Sequence, residues 1–510
     1  MGSQEIELKL RLPAAAVRRL TAHPLLRAGP RPAIRELYSV YYDTPHLDLR
    51  RSGVALRLRR DGRRWVQTVK GGGSVAGGLH QRLEIECDLA RQAIDWASLG
   101  RGPYAGLFAS RRLQGRLQPV FATRFIRTEH LVQLQPGLMI AAALDRGEIT
   151  GGGRHEPICE LALELRAGPA AALYDFALEL AQSTPLTPEN RSKAERGYAL
   201  CRGEAPQPVK ARPAVLDAGM TVAAAFGTIL RSTLDHLQAN EAGMVAGKDP
   251  EYLHQMRVAL RRMRSAFRVF GPVFPKGATA PMVADMRWLA GALGPARDWD
   301  VFTSEILPQF AGRIRERAAR AAFERSAKRR RREANRAARR AVDSARYRRF
   351  ILSFGAWLAA GGWARGADRT ARRVGADPVG RFASATLEQR HSKARKRGRK
   401  LAAQGPAQRH RLRIAIKKLR YAGDFFSGLY ARQPARRMLR QLSGLQDILG
   451  AMNDAAQAER MTAGCGARLR GGAVAAAGRA LAAWNRSHAP ALRRKLKRAW
   501  VAFRAQKRFW

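Results

Sequence analysis

Two hydrophobic rhythms divide this chain. Up to about residue 203, apolar and charged residues alternate in short runs. Ile6, Leu8 and Leu10 interleave with Glu5, Glu7 and Lys9, and Leu56 and Leu58 with Arg57 and Arg59. Leu83 and Ile85 alternate with Arg82, Glu84 and Glu86, and Leu161, Leu163 and Leu165 with Glu160 and Glu164. A period of two sends successive side chains to opposite faces of a strand, and the glycine-rich stretches 71–78 and 151–153 supply turns between runs. Strands charged on one face fit either a sheet with an open wet side or a barrel with a polar lumen and helices outside. Beyond a Pro-containing linker at 204–213, nearly everything follows the 3.6-residue period of amphipathic helices. The pattern predicts an α+β or β-barrel domain over 1–203. An all-α domain follows over 214–510, its two halves (about 214–370 and 371–510) meeting near 361–376.

The halves follow from a repeat. His254-Gln-Met-Arg257-Val-Ala-Leu-Arg261-Arg262-Met-Arg264 returns as His410-Arg-Leu-Arg413-Ile-Ala-Ile-Lys417-Lys418-Leu-Arg420, an offset of 156. At that offset Phe226 also matches Phe382, Leu293-Gly294 matches Leu449-Gly450, and Asp298 matches Asp454. At about 100° per residue, His254, Arg257, Arg261, Arg264 and Arg268 fall within an arc of roughly 80°. Met256, Leu260, Met263, Phe267 and Phe270 take the opposite, core-facing side. The second copy puts His410, Arg413, Lys417 and Arg420 on its polar side and Leu412, Ile416, Leu419 and Phe426 on the other. A solvated basic face would explain one such helix. Duplication with the histidine in phase favours a groove for a polyanion, because aligned cations repel one another. Asp298, Asp300 and Asp454 are expected to pair with the Arg and His of the repeat, and Asp249 and Glu251 to cap its first helix.

Charge sharpens this picture. Lys and Arg number 93 against 41 Asp and Glu, a net +52, which calls for an anionic partner. Residues 1–203 hold 30 basic and 20 acidic side chains, and the remainder 63 and 21, so the helical part carries most of the excess. Nucleic acid is disfavoured as that partner, since no zinc-ligand set, RNA-binding signature or basic zipper accompanies the charge. The cysteines, Cys87, Cys159, Cys201 and Cys465, have no paired spacing and read as free thiols of a reducing compartment. With no apolar leader after Met1 and no run of about 18 apolar residues, the expectation is a cytoplasmic protein without a membrane span. The pattern says nothing of oligomeric state.

Carboxylates and cations mixed on one strand face suit a metal–phosphate substrate, with hard oxygen ligands for the metal and Arg and Lys for the phosphoryl oxygens. Glu5-x-Glu7-x-Lys9, Tyr41-Tyr42-Asp43-Thr44, Leu56-Arg57-Leu58-Arg59, Lys70, Cys159-Glu160-Leu-Ala-Leu-Glu164 and Ser192-Lys193-Ala-Glu-Arg196-Gly-Tyr198 together resemble the CYTH, or triphosphate tunnel metalloenzyme, family over about residues 1–203. The duplicated helix and Leu293-Gly-Pro-Ala-Arg297-Asp298-Trp-Asp300 resemble the CHAD domain, a helical module associated with polyphosphate. CYTH followed by CHAD is the arrangement of bacterial inorganic triphosphatases.

The resemblance implies an eight-stranded antiparallel β-barrel tunnel with flanking helices, followed by two tandem helical-bundle repeats. It implies Mg2+ or Mn2+ held by Glu5, Glu7, Glu160, Glu164 and Asp145. Triphosphate would lie along Lys9, Arg57, Arg59, Lys70, Arg124 and Lys193, with Glu5, Glu7, Lys9, Lys70 and Lys193 as the catalytic set. Polyphosphate would lie on His254, Arg257, Arg261, Arg264, His410, Arg413, Lys417 and Arg420, and granule association would follow from that. One departure stands out: Ala162 occupies the middle position of an expected Glu-x-Glu-x-Glu strand. A non-catalytic polyphosphate-binding protein and a nucleotide or thiamine triphosphatase are the competing readings.

Overall fold

The computed structural model describes residues 3–203, 205–247, 249–271, 273–399, 401, 405–465 and 472–510. Met1, Gly2 and, in the expected linker, Glu204 lie outside them. The chain forms two compact units: Met1–Gln207 with Ala345–Ala360, and Pro208–Ser344 with Gly361–Trp510.

The first unit is a barrel. Its long strands are β1 (Ser3–Arg11), β2 (Ala33–Asp43), β3 (Val54–Asp61), β4 (Arg64–Ala76), β5 (Leu79–Leu89), β6 (Gln118–Gln135), β7 (Leu138–Gly151) and β8 (Arg154–Ala167). Neighbours run in the order β5-β4-β3-β2-β6-β7-β8-β1, all antiparallel, and a β1–β5 pairing closes the ring. Closure leaves no exposed edge among these eight strands. A two-residue β9 (Thr187–Pro188) adds to β1.

The alternation of the sequence becomes inside and outside. Leu8, Leu10, Ile140, Ala142, Leu144, Leu161 and Leu163 form an outer apolar layer. Helix α1 (Ala171–Leu180) covers it with Leu173, Phe176 and Leu180. Each large side chain so buried stabilises by about 1.5–3 kcal/mol. Across the barrel, Leu49, Val54, Leu56 and Val69 pack under Leu99, Phe108 and Leu113 of short helical turns. A third helix comes from far along the chain. Residues Ala345–Ala359 lie against α1, with Leu352 in the same outer core. Gly355 permits that approach, since a Cβ there would stand 2.2 Å from the Tyr174 ring.

The helical unit contains α3 (Val222–Gln238), α4 (Glu241–Ala246), α5 (Pro250–Phe270), α6 (Lys276–Val301) and α7 (Arg317–Val342). After the inserted helix, α8 (Ala345–Ala359), come α9 (Val379–Arg397), α10 (Pro406–Phe426), α11 (Arg432–Gly464) and α12 (Ala473–Ala505); α2 (Lys193–Arg202) belongs to the barrel. The predicted stripes are buried: Met256, Leu260, Met263 and Phe270 on α5, and Leu412, Ile416, Leu419 and Phe426 on α10. The repeat then packs on itself. Phe270 stacks on Phe382 with ring centroids 5.1 Å apart and lies 5.9 Å from its own counterpart, Phe426. Asp249 caps α5 by accepting from the Glu251 N–H. All four cysteines are free, and among the described residues no helix is long and apolar enough to cross a membrane.

Candidate functional site

Cross-strand register decides which side chains share the lumen. Glu7 opposes Glu164, Lys9 opposes Ala162, Asp145 opposes Glu160 and Arg127 opposes Asp145. Arg57 opposes Tyr41 and Thr68, Arg59 opposes Ser39, and Lys70 opposes Glu84. Antiparallel partners point to the same face, so the charged faces of all eight strands converge.

One group forms around β1. Lys70 Nζ donates to Glu5 at 2.7 Å and reaches Glu84 at 2.8 Å, and Arg57 reaches Glu84 at 3.3 Å. Lys9 lies 2.5 Å from Glu7. Burial by itself would raise the Glu7 carboxyl, but Lys9 and Lys70 hold it well below the usual carboxylate range. Glu164 goes the other way: burial raises its carboxyl, Arg166 opposes this, and the charges of Glu5, Glu7 and Glu84 push it further up. These four carboxylates therefore feel one another, and a divalent cation would relieve that repulsion. Their hard oxygens fit Mg2+ or Mn2+ by donor type and charge. Ammonium groups meet three of them here, and among the described residues no three acids are gathered into a ready cation cage.

A second group closes the barrel at one end. Tyr41, Phe121, Phe125, Ile149 and Ile158, all on the inner face, pack against Tyr198 of α2. The Ser192–Glu195 capping box fixes the start of that helix. Lys193 is thereby aimed into the lumen, where it donates to Asp145 at 2.7 Å and to Glu160. Arg127 holds Asp145 through two bonds of 2.8 Å, and Arg196 takes the other Glu160 oxygen at 3.1 Å. Burial would raise both acids, yet these cations keep them low. Arg59 is the exception to this pairing. Its Nε donates to Ser39 Oγ at 3.3 Å, and burial, with Arg57 and Arg127 nearby, pushes its guanidinium down to about 9.

The helical unit collects charge differently. Cations of the two repeat copies face each other. Arg261 of α5 lies over the Tyr421 ring of α10, 5.9 Å from its centroid. His410, Arg413, Lys417, Lys418, Arg268 and Arg390 line a cavity of about 480 Å3. Burial pushes Lys417 down to about 8, helped by Arg261, Arg413, Arg268 and Arg264. Carboxylates are sparse here. Arg257 and Asp298 are 3.9 Å apart, while Arg420 bonds Asp424 at 3.0 Å and Gln446 at 2.8 Å. Burial raises Asp454 in spite of Arg413, and burial and Arg297 lower His254.

Residues 3–198 match the CYTH domain and residues 228–463 match the CHAD domain. The chain carries a CYTH domain in its barrel and belongs to the CHAD family through its helices. The inorganic triphosphatase of Haemophilus influenzae is 34% identical over 165 residues, which cover 32% of this chain and 46% of that protein. The chain thus spans just under half the length of that relative. The CHAD domain from the plant Ricinus communis is 32% identical, covering 59% of this chain and 99% of that one, with a TM-score of 0.51.

Most residues expected in the CYTH lumen are there, but the structure sorts them. Glu5, Glu7, Glu164, Lys9 and Lys70 fall in the first group, and Asp145, Glu160 and Lys193 in the second. Arg124 needs correcting. It is exposed, on the outer face, 3.9 Å from Glu36 and over the Tyr38 ring. Arg127, three residues on and of opposite parity, takes the lumen position. Glu84, read from sequence as a possible plain cross-strand partner, joins the β1 carboxylates. In the CHAD domain Arg420 is engaged by Asp424, Arg268 of the predicted polar arc lines the cavity, and Arg390 enters it unannounced by the repeat. Asp300 pairs with Arg331 at 2.6 Å rather than with the repeat's Arg or His. Parity counted from Phe121 and Phe125 would have found Arg127; nothing local marks Arg390.

Proposed function

We propose that the CYTH barrel hydrolyses a short linear phosphate, inorganic triphosphate being the best fit, and that the CHAD rows bind polyphosphate. Arg59 carries the first half of this reading. It is a half-buried guanidinium that bonds Ser39 rather than a carboxylate, with Arg57 and Arg127 nearby, and an anionic chain threaded along Arg59, Arg57, Lys9 and Lys70 supplies a counter-charge. A closed lumen holds a slim, unsubstituted phosphate chain more readily than a bulky nucleotide. The relationship to the Haemophilus influenzae enzyme supports the same choice.

Glu5, Glu7, Glu84 and Glu164 would hold Mg2+ or Mn2+, which when bound polarises phosphoryl oxygens and lowers the pKa of water. The chain's own part is positioning and charge. Arg57, Arg59 and Arg127 neutralise the phosphoryl oxygens, and Lys9 and Lys70 exchange their carboxylate partners for the substrate. Water adds to the terminal phosphorus, the bridging P–O bond breaks, and pyrophosphate leaves beside phosphate. Asp145 and Glu160 hold Lys193 at the closed end. The setting is a cytoplasmic one, with granule association through the CHAD rows.

Ala162 favours a second reading, a barrel that binds without turnover, because its methyl group stands beside Lys9 where a carboxylate was expected. Phosphate release from inorganic triphosphate, ATP, thiamine triphosphate and long-chain polyphosphate, with Mg2+ or Mn2+, separates the two. Turnover of triphosphate abolished by Glu5→Ala/Glu7→Ala supports the hydrolase. No mutant-sensitive turnover of any of the four, with polyphosphate binding intact, leaves the binding protein.

A further inference from the structure

A second basic cavity lies in the helical unit, on surfaces the paired rows do not use. It encloses about 500 Å3 between α7, the end of α4 and the start of α5. Lys328, Arg331, Arg332, Arg336 and Arg339 line it together with Asn335. Their spacing of three, four and eight residues sets them on one side of α7. Like charges four apart on a helix repel, so this side of α7 is maintained against its own electrostatics.

The wall is built rather than incidental. Asp300, 1% exposed, accepts from Arg331 Nε at 2.6 Å and from Asn335 Nδ2 at 3.1 Å. Two of the lining donors are thus fixed from behind by one buried carboxylate, whose second oxygen has no hydrogen-bond partner among the described residues. Arg339 Nη2 donates to the Gly247 carbonyl at 3.2 Å. Gly247 has φ +67°, and a Cβ there would stand 2.0 Å from that guanidinium, so this seat for Arg339 needs glycine. Asp249, an acid of the lining, spends its Oδ1 on the Glu251 N–H at 2.8 Å. Lys328, Arg332 and Arg336 are exposed, and no protein partner is seen for them among the described residues. Met244, Pro250 and Leu253 complete the wall with apolar surface.

We infer that this cavity is a separate binding site for a compact phosphate carrying at least three negative charges, such as a nucleoside triphosphate or a ring bearing several phosphates. Fixed guanidiniums suit phosphate oxygens through paired N–H donors. A pocket of this size, open on the side of Lys328, Arg332 and Arg336, suits a compact ligand better than a long chain. The inference stands apart from the tunnel and the rows, because none of its residues belongs to either.

Calorimetric titration of the full chain with ATP and with inositol hexakisphosphate tests it and tells the two sources apart. Arg332→Glu/Arg336→Glu, at exposed positions, is expected to weaken the ligand that binds by roughly tenfold or more. Arg332→Gln/Arg336→Gln should give an intermediate loss. Arg413→Ala/Lys417→Ala in the rows and Glu5→Ala in the tunnel should leave that binding within about twofold. The inference is overturned if neither compound binds saturably, if the α7 variants bind as the parent does, or if the row variant abolishes the same binding.

Discussion

Barrel and helical rows solve opposite electrostatic problems with the same residue types. In the lumen, cation and carboxylate alternate, so Glu5, Glu7, Glu84, Asp145 and Glu160 each meet a Lys or Arg. On the facing helices, cation meets cation, and burial with four arginines pushes Lys417 down to about 8. A mixed wall accommodates a metal and a phosphate together. A cationic wall fits an anion alone, and its own repulsion is relieved when that anion arrives. Arg59 is the point where the lumen resembles the rows, which is why it marks the path of the substrate.

The comparison breaks most visibly at β1. Replacing Glu5 and Glu7 by Ala should lower phosphate release from inorganic triphosphate by on the order of a hundredfold or more, the scale of losing transition-state charge stabilisation. Circular dichroism should be unchanged, and long-chain polyphosphate should bind within about twofold of the parent. Equal activity in the double variant would remove the division of labour altogether.

Stability of the closed end comes next. Glu160→Gln leaves Lys193 and Arg196 with one carboxylate charge fewer in a buried network, so urea unfolding should show a loss of about 3–5 kcal/mol. A loss near zero would mean that the α2 contacts, rather than charge pairing, hold the lumen shut.

On the helical side, Arg413→Ala/Lys417→Ala should weaken long-chain polyphosphate about tenfold and flatten the salt dependence of binding. Triphosphate turnover should stay within about twofold of the parent. A matching drop in turnover would couple the regions that the comparison separates.

The smallest effect is with pH. Lys417 sits at about 8 in the folded chain against an ordinary 10.5, so between those values the unfolded chain holds more protons. Its contribution to stability therefore rises with pH across that window. Anion binding needs the ammonium, so polyphosphate affinity should fall by a few fold between pH 7.5 and 9.5. Lys417→Arg should remove that step, and a step that survives the substitution would assign it to another group.

Sequence pattern carried far in this molecule because burial of apolar surface obeys simple periods. Ile6-x-Leu8-x-Leu10 could satisfy its strand period only with Glu5, Glu7 and Lys9 on the other face, and a closed barrel makes that face a lumen. Likewise the repeat at 156 residues reported two similar helices before any contact was known. Legibility failed where a residue's partner lies on another strand or helix. Arg124 and Arg127 look alike in composition, yet one stands in solvent and the other on Asp145. Arg420 meets Asp424 one turn on in its own helix, but its bond to Gln446 depends on α10 and α11 meeting in space.

By itself, the sequence determined the kinds of element, their inner and outer faces, the excess of positive charge and the duplication, since each follows from local period and composition. Tertiary structure decided the rest. Register chose Arg127 over Arg124, sorted the acids between β1 and the closed end, and made Lys193 a lumen residue through the placement of α2. Long-range packing also drew Ala345–Ala360 out of the helical stretch and onto α1. A helix's apolar face specifies that it must be covered, but not by what, and only the assembled fold names the partner.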